Sequence, residues 1–227
     1  MSTHESLREQ VDPSRAPLDR CARCALHLRL CLCGFVQPIA LPTRVVVLRH
    51  RRELYKPTNT GRLVPLTLAH GEVRSFGDRG VELEIGDLLQ PERRPLLLYP
   101  SADSRPLTRA VCEDGPVTLI VPDADWRRAF KLATREPALA SVPRVHLPSG
   151  PPSEYRLRRH MNPRFVATFE AVARALGILE GPEVQARLEY VFRVMVERTL
   201  WSRGQIATED VTGGLPEPLP RASTDAG

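Results

Sequence analysis

The sequence predicts an α/β protein built on a mostly parallel β-sheet that is flanked by helices. Short apolar runs alternate along the chain with segments of helical periodicity, which is the order of elements in such folds. The apolar runs are continuous, as expected of strands that are covered on both faces. The chain has 227 residues, enough for one hydrophobic core and a small appended module.

Four apolar runs are the predicted strands, and the first contains three consecutive valines, which favour strands because they are β-branched. The runs cover residues 43–50, 95–100, 117–121 and 144–147. Between residues 71 and 92 the chain is acidic and rich in glycine, so we expect at most a short strand at 81–85 there.

Helices are predicted after most of these strands. Short ones are expected at 62–69 and 105–111, and a longer one at 126–134 ends before Pro137, because a residue that precedes proline avoids the helical region. Two amphipathic helices close the domain. Their apolar faces are Val166, Phe169, Val172, Ala173 and Leu176, and Val184, Leu188, Val191, Phe192, Met195 and Leu200.

The predicted organisation has four parts: a disordered arm at 1–18, a cysteine module at 19–42, an α/β domain at 43–203, and a disordered acidic tail at 204–227. No apolar run approaches the roughly 20 residues that span a bilayer. The polar N-terminus lacks the apolar segment of a secretory signal. We therefore expect a cytoplasmic protein without a membrane partner.

The net charge of +5 and the pI near 9.2 come mainly from two arginine-rich segments. Residues 1–62 carry a net charge of +6 and residues 141–165 a net charge of +4, whereas residues 72–92 carry −4. Concentrated positive charge suits a polyanionic partner such as RNA. A scattered, solvated basic surface is the alternative interpretation.

Four cysteines lie within thirteen residues, at Cys21, Cys24, Cys31 and Cys33. Closely spaced cysteine pairs supply the four soft donors that tetrahedral Zn²⁺ requires. Because four protein ligands leave no open position, such a zinc ion would be structural. Free or redox-active thiols are the alternative. Arginines surround the cluster, so this module is also a candidate contact for nucleic acid.

The stretch 118–126 is a buried strand that ends in two acids and an aromatic residue, Asp123, Asp125 and Trp126. In parallel sheets ligands bind at the carboxyl ends of strands, beside the following helix. These side chains are therefore candidate catalytic residues. The alternative is that an aspartate caps the helix while Trp126 packs beneath it.

Two further motifs are candidates for ligand contacts. Asn59-Thr60-Gly61-Arg62 is a turn whose N–H groups and arginine suit an anion or carboxylate, although an ordinary capped turn fits equally well. Ser153-x-Tyr155-Arg156-Leu157-Arg158 combines a hydroxyl, an aromatic ring and guanidinium groups, which suits bases and phosphates or an exposed edge strand. No Gly-x-Gly-x-x-Gly or Walker loop occurs, which disfavours a dinucleotide site.

Taken in order, these motifs resemble the DTW-domain family. The resemblance covers about residues 20–203 and includes the cysteine cluster, Asn59-Thr60-Gly61-Arg62-Leu63, Pro122-Asp123-Ala124-Asp125-Trp126, the motif at 153–158 and Val196-Glu197-Arg198-Thr199-Leu200-Trp201. It implies transfer of the 3-amino-3-carboxypropyl group of S-adenosylmethionine to N3 of a uridine in tRNA. It also implies a fold related to the SPOUT-type methyltransferases, which are knotted. The family's element usually reads Asp-x-Thr/Ser/Asn-Trp, so Asp125 replaces a neutral residue with a charged one.

The motifs and the resemblance together give individual residues their expected roles. The catalytic residues are Asp123, Asp125 and Trp126; those that bind the co-substrate S-adenosylmethionine are Thr60, Gly61, Arg62, Pro122, Ser153, Tyr155 and Arg156; those that contact tRNA are Arg158, Arg159 and Arg23; and the ligands of a structural Zn²⁺ are Cys21, Cys24, Cys31 and Cys33.

The reaction requires uridine N3 to attack the methylene carbon beside the sulfonium, so we expect Arg156 or Arg62 to hold the methionine carboxylate. Asp123 is the candidate acceptor of the N3 proton. Because a helix N-terminus lowers the pKa of a nearby carboxylate, Asp123 is alternatively expected to hold the amino group or to orient the base. Trp126 and Tyr155 are candidates for stacking on adenine or uracil, with packing the favoured role for Trp126.

Other functions fit the same sequence. The same scaffold suits S-adenosylmethionine-dependent RNA methylation or transfer of the aminocarboxypropyl group to ribosomal RNA. A zinc-containing RNA-binding protein without catalysis is a candidate from another class. Both a monomer and a homodimer fit the sequence.

Overall fold

The computed structural model describes residues 19–78, 80–158 and 165–216, and six strands of this part form one sheet. All five strand pairings are parallel, and the order across the sheet is β2-β1-β5-β3-β6-β4. The strands are β1 (Arg44–His50), β2 (Gly71–Phe76), β3 (Arg94–Leu98), β4 (Arg105–Pro106), β5 (Val117–Asp123) and β6 (Arg144–His146). This arrangement confirms the predicted α/β class with a parallel sheet.

Four α-helices accompany the sheet: α1 (Val64–Thr67), α2 (Trp126–Arg135), α3 (Thr168–Glu180) and α4 (Pro182–Ser202). Asp125 caps α2 by accepting a hydrogen bond from the backbone N–H of Arg128, which fixes where the helix begins. Gly181, with a φ of 123°, separates α3 from α4, a conformation that residues with a side chain rarely adopt. None of the helices in the described part is long and apolar enough to cross a membrane.

The central strands are buried on both faces because a separate apolar cluster covers each side of the sheet. Val45 and Val47 of β1 belong to the larger cluster, which includes residues of α3 and α4. Val46 and Leu48 belong to the smaller cluster, which includes the buried residues of α2. The uninterrupted apolar sequence of β1 therefore reflects two cores that share one strand.

The acidic segment after residue 70 departs from the prediction. Its strand is β2 at 71–76, and residues 81–85 form no strand. The edge position of β2 explains the polar sequence, because Arg44 and Arg74 form ion pairs with Glu72 and Asp87 along this edge. The expected helix at 105–111 is also replaced, by the two-residue strand β4 and a 3-10 turn at Arg109–Cys112.

Residues 204–216 were expected to begin a disordered tail, but they lie against α4. Val211 is buried, and the backbone N–H of Thr212 donates to Glu197 Oε2 at 2.7 Å. Arg198 of α4, itself buried, donates to the carbonyl oxygen of Gly214 through Nε at 2.9 Å. Buried hydrogen-bonding groups on α4 thus order a segment whose composition indicates no structure. The expected arm at 1–18 and the rest of the tail, 217–227, lie outside the described residues.

Candidate active site

A cavity of about 1140 Å³ opens at the carboxyl ends of β3, β5 and β6. Its walls come from the ends of these strands, the loop at 147–152, the first turn of α2 and the N-terminus of α3. This is the edge at which parallel α/β sheets bind ligands. The volume exceeds the roughly 300–1,000 Å³ of a site for one drug-sized molecule, which leaves room for two reactants.

Asp123, the last residue of β5, is a buried carboxylate in the wall of this cavity. Its Oδ2 accepts a hydrogen bond from Asn59 Nδ2 at 2.6 Å, and its Oδ1 accepts one from Thr168 Oγ1 at 2.7 Å. Burial raises the pKa of Asp123, and the two hydrogen bonds only partly oppose this effect. The expected lowering of this pKa by a helix N-terminus is therefore wrong, because Asp125, and not Asp123, caps α2.

The turn at 59–62 holds Asp123 in place. The side-chain oxygen of Asn59 accepts from the backbone N–H of Arg62 at 3.3 Å, which directs the amide nitrogen towards Asp123. Gly61 lies so close that a Cβ atom there would be 2.6 Å from Asp123 Oδ2. Thr60 accepts from the backbone N–H of Phe169 at 3.2 Å and so ties the turn to α3. Of the predicted ligand contacts in this turn, Thr60 lines the cavity and Gly61 and Arg62 do not. Gly61 packs against Asp123, and Arg62 holds the side chain of Asn59.

Asp125 and Trp126 stand at the cavity beside Asp123, and Pro122 also lines it. Burial by itself would raise the pKa of Asp125, but its hydrogen bonds and ion pair with Arg128 outweigh burial and lower it. Trp126 is 46% exposed, so the packing role that was favoured from the sequence is wrong. Its ring lies 4.5 Å from that of Phe165 and 6.3 Å from that of Tyr99, centroid to centroid.

The motif at 153–158 is mostly a brace for the cavity wall. Ser153 Oγ donates to the buried Glu170 at 2.5 Å, and Glu170 also accepts from the backbone N–H groups of Glu154 and Ala167. Tyr155 is buried, and its hydroxyl donates to the carbonyl oxygen of Thr58 at 2.6 Å. Ser153 does not line the cavity, and Tyr155 contributes to the wall with its ring face already covered by Phe192.

The two arginines expected to hold a carboxylate point elsewhere. Arg62 donates to the carbonyl oxygens of Asn59 and Lys56, and Arg156 lies 3.5 Å from the buried Glu197 on α4. Neither lines the cavity, whereas Arg158 does. Arg23 is exposed on the cysteine module and does not line the cavity, and Arg159 lies outside the described residues.

The cavity contains polar residues that the sequence analysis missed. Glu53 is buried there and pairs with Lys56 at 2.6 Å, while Arg158 approaches its other oxygen at 3.8 Å. His146, at the end of β6, also lines the cavity and exchanges a hydrogen bond with Ser104 at 2.9 Å. His146 ends a strand and Glu53 comes three residues after one, and these positions are the signal that would have identified them.

The four cysteines form a second candidate site, away from this cavity. Their sulfur atoms all lie within 4.8 Å of one another, with 3.6 Å between Cys21 and Cys33 and 3.9 Å between Cys24 and Cys31. A tetrahedral zinc site with Zn–S bonds of about 2.3 Å has sulfur–sulfur separations of about 3.8 Å. The side-chain geometry therefore fits a tetrahedral metal ion.

Comparison with protein families decides the assignment. The family model described as DTW domain matches residues 18–200. The chain belongs to the DTW-domain family. The match contains the cysteine cluster, the turn at 59–62 and the cavity, so the DTW domain accounts for all the candidate residues described above.

Two curated relatives share one activity in their names. The chain is 28% identical over 178 residues to tRNA-uridine aminocarboxypropyltransferase 2 of Drosophila melanogaster, covering 75% of this chain and 70% of that protein. It is 28% identical over 209 residues to tRNA-uridine aminocarboxypropyltransferase A of Arabidopsis thaliana, covering 78% and 79%. A solved structure of the SAM-dependent rRNA:acp-transferase Tsr3 from Vulcanisaeta distributa is similar at 20% identity, with a TM-score of 0.42 and coverage of 76% and 85%.

The unusual aspartate of this DTW domain has a structural explanation. The motif expected from the resemblance has Thr, Ser or Asn where this chain has Asp125, and in the structure Asp125 is the cap of α2. All four residue types are strong helix caps because each presents a short side-chain oxygen to the first turn. The substitution therefore keeps the cap, and Arg128 pairs with the additional charge.

Proposed function

We propose that this DTW-domain protein is a tRNA-uridine aminocarboxypropyltransferase, which transfers the 3-amino-3-carboxypropyl group of S-adenosylmethionine to N3 of a uridine in tRNA. Family membership and the names of the curated relatives support this activity. The observation that carries it is the buried carboxylate of Asp123 in a cavity large enough for a co-substrate and a base. The cytoplasmic location stays a prediction.

The proposed reaction forms a bond between uracil N3 and the methylene carbon next to the sulfonium. The electron pair of the broken C–S bond goes to sulfur, and the N3 proton goes to a base. Asp123 suits this task because burial raises its pKa towards the range in which a carboxylate accepts a proton. Oδ1 is the oxygen that takes the proton, since the Thr168 hydroxyl can turn to accept a hydrogen bond whereas the amide nitrogen of Asn59 only donates.

Arg158 is the proposed partner of the methionine carboxylate. Its guanidinium lines the cavity, and its contacts with the described residues are a 3.8 Å approach to Glu53 and the Tyr155 ring 5.7 Å away. Arg174 also lines the cavity, but its guanidinium is engaged by Glu170 and by the carbonyl oxygens of Pro151 and Pro152. A guanidinium matches a carboxylate in two parallel hydrogen bonds, which fixes the direction of the methionine tail.

Trp126 and Phe165 are the proposed stacking surface for adenine or uracil. Both rings are partly exposed and line the cavity, whereas the buried Tyr155 has no free face to offer. Flat aromatic groups suit a nucleobase because every base has a π-face.

The cysteine cluster is proposed to bind one structural Zn²⁺ ion through Cys21, Cys24, Cys31 and Cys33. When bound, the ion would supply a cross-link within the module and no chemistry at the cavity. Arg198 connects this module to the rest of the fold, because its guanidinium donates to the carbonyl oxygens of Cys31 and Gly214.

The test is mass spectrometry of an unmodified tRNA transcript after incubation with the purified protein and S-adenosylmethionine. A gain of about 101 Da on a uridine is expected, against about 14 Da for methylation. The Asp123→Asn variant should bind S-adenosylmethionine and transfer nothing, while Asp125→Asn, which keeps the helix cap, should remain active. A methyl-sized gain would overturn the proposed function, whereas full turnover by Asp123→Asn would overturn only the role of Asp123 as the base. Transfer to a ribosomal RNA fragment but not to tRNA would keep the chemistry and change the substrate.

A further inference from the structure

The solvent-facing side of α2 carries two rows of exposed side chains. Trp126 and Phe130 form an aromatic row and are 46% and 53% exposed. Arg127, Lys131 and Arg135 form a cationic row beside it, also exposed. Residues four apart stand on the same face of a helix, so the aromatic row lies along the first half of α2 and the cationic row along its whole length.

These residues have no evident structural task. The opposite side of α2 supplies the core residues Ala129, Leu132 and Ala133. The cationic row makes no hydrogen bond or ion pair with any described residue, whereas the neighbouring Arg128 pairs with Asp125. A positive row next to exposed aromatic rings is the combination that binds single-stranded nucleic acid, through phosphate contacts and base stacking.

The position of the two rows links them to the cavity. Trp126 is both the first residue of α2 and part of the cavity wall. Both rows therefore begin at the mouth of the cavity, and the cationic row extends to the end of α2, which has ten residues and is about 15 Å long. A strand whose target base enters the cavity would have its neighbouring nucleotides alongside this helix.

We propose that this face of α2 binds the RNA strand next to the modified uridine, with Arg127, Lys131 and Arg135 on phosphates and Phe130 stacked on a base. The inference rests on the proposed function for the identity of the substrate. Charge favours RNA over a second copy of this chain, because a symmetric contact through α2 would bring two cationic rows together.

The first test compares two triple variants with the same change in net charge. Arg127→Gln, Lys131→Gln and Arg135→Gln remove the proposed phosphate contacts. In the matched control, Arg105→Gln, Arg109→Gln and Arg187→Gln remove three exposed arginines that do not line the cavity. Binding of an unmodified tRNA transcript is measured as a function of salt, without S-adenosylmethionine.

Each phosphate contact contributes about 0.7 to 0.9 to the slope of log affinity against log salt, so the α2 variant should lose about 2 to 3 of slope. Between 50 and 200 mM salt the wild-type Kd should then rise about 20- to 40-fold more than that of the variant. The control should keep the wild-type slope. Equal slopes for the two triple variants would overturn the inference.

The aromatic contact is tested by Phe130→Leu, which keeps an apolar side chain and removes the stacking ring. Loss of one stacked base should weaken tRNA binding by about 5- to 150-fold and leave the salt slope unchanged. Tyr190→Leu, on α4, removes another partly exposed ring and should have no such effect. Unchanged affinity in Phe130→Leu would remove this residue from the interface.

The outcomes separate the inference from the proposed function. A wild-type protein that transfers the group to tRNA while the α2 triple variant binds tRNA normally would overturn the inference alone. A wild-type protein that binds tRNA through α2 but transfers nothing would overturn the function alone. If the α2 triple variant binds tRNA normally but no longer binds phosphatidylserine vesicles, this face binds a membrane instead. If it binds tRNA normally and the wild-type protein is a dimer that the α2 variants dissociate, this face binds a second copy of the chain.

Discussion

Gly61 offers the most direct test of how the turn at 59–62 supports the carboxylate of Asp123, the proposed base. In Gly61→Ala, the new Cβ atom would lie 2.6 Å from Asp123 Oδ2 and 3.2 Å from Val47 Cγ1. Ordinary van der Waals contact begins at 3.4 Å, so the carboxylate oxygen must move by about 0.8 Å. Asp123 cannot swing into solvent, because it is buried and held by Asn59 and Thr168.

The expected loss follows from these contacts. Forcing a methyl group into a filled site costs about 1 to 3 kcal/mol. Weakening the 2.6 Å hydrogen bond from Asn59 to the carboxylate adds about 1.5 to 3 kcal/mol, as for other hydrogen bonds to charged groups. We therefore expect the free energy of unfolding to fall by about 2.5 to 6 kcal/mol, together with the loss of transfer activity.

Denaturant unfolding of the purified variants measures this loss, and Gly86→Ala is the matched control. Gly86, like Gly61, begins a 3-10 turn without a positive φ, but a Cβ atom there would meet nothing within 4 Å. The control should change stability by less than about 1 kcal/mol. Adding Asp123→Ala to Gly61→Ala should cost less than the sum of the two single changes, since the contact is gone. A Gly61→Ala variant as stable and active as the control would refute this account of the turn.

Three other predictions concern pH, the carboxylate partner and the metal. Because burial raises the pKa of Asp123, its stabilising contribution is complete below the unfolded-state pKa of about 3.9 and is lost as pH rises through the folded-state pKa. The unfolding free energy of the wild type minus that of Asp123→Asn should therefore fall as the pH rises above about 4. A difference that does not change with pH would contradict the raised pKa. Arg158→Gln should raise the KM for S-adenosylmethionine about 10- to 100-fold, whereas Arg156→Gln, which changes an arginine outside the cavity, should not; equal effects would remove Arg158 as the partner. Cys24→Ser should lose bound zinc, measured as metal content per chain, while Cys112→Ser keeps it, and equal metal content in both would contradict the four-cysteine site.

The sequence was sufficient where local pattern and burial agree. The three valines of β1 and the apolar run of β5 predict strands that are buried on both faces. A strand buried on one face only would have polar residues at alternate positions. An aspartate ahead of a helical pattern predicts the start of α2, since a cap is formed within a few residues. The cysteine spacing likewise predicts a cluster of four thiols that lie close together.

The sequence failed where a partner from a distant part of the chain decides the outcome. β2 is polar and forms because it pairs with the edge of β1, and residues 204–216 are ordered because Arg198 and Glu197 bind their backbone. Arg62 carries the charge expected of a ligand-binding residue, yet the carbonyl oxygens of its own turn take its guanidinium. The local composition does not show which hydrogen-bond partner a side chain or a backbone segment will have in the folded protein.

The sequence by itself therefore determined the fold class, the parallel strands of the centre, the cysteine cluster and the presence of Asp123 at a strand end. Only the tertiary structure decided that Asp123 is the buried acid and Asp125 the helix cap, and that Glu53, His146 and Arg158 share the cavity. The reason is physical: the hydrogen bonds that fix Asp123 come from Asn59 and Thr168, which are 64 and 45 positions away in the chain. Burial and hydrogen bonding set the chemistry of a carboxylate, and both are supplied by residues that meet only when the chain is folded.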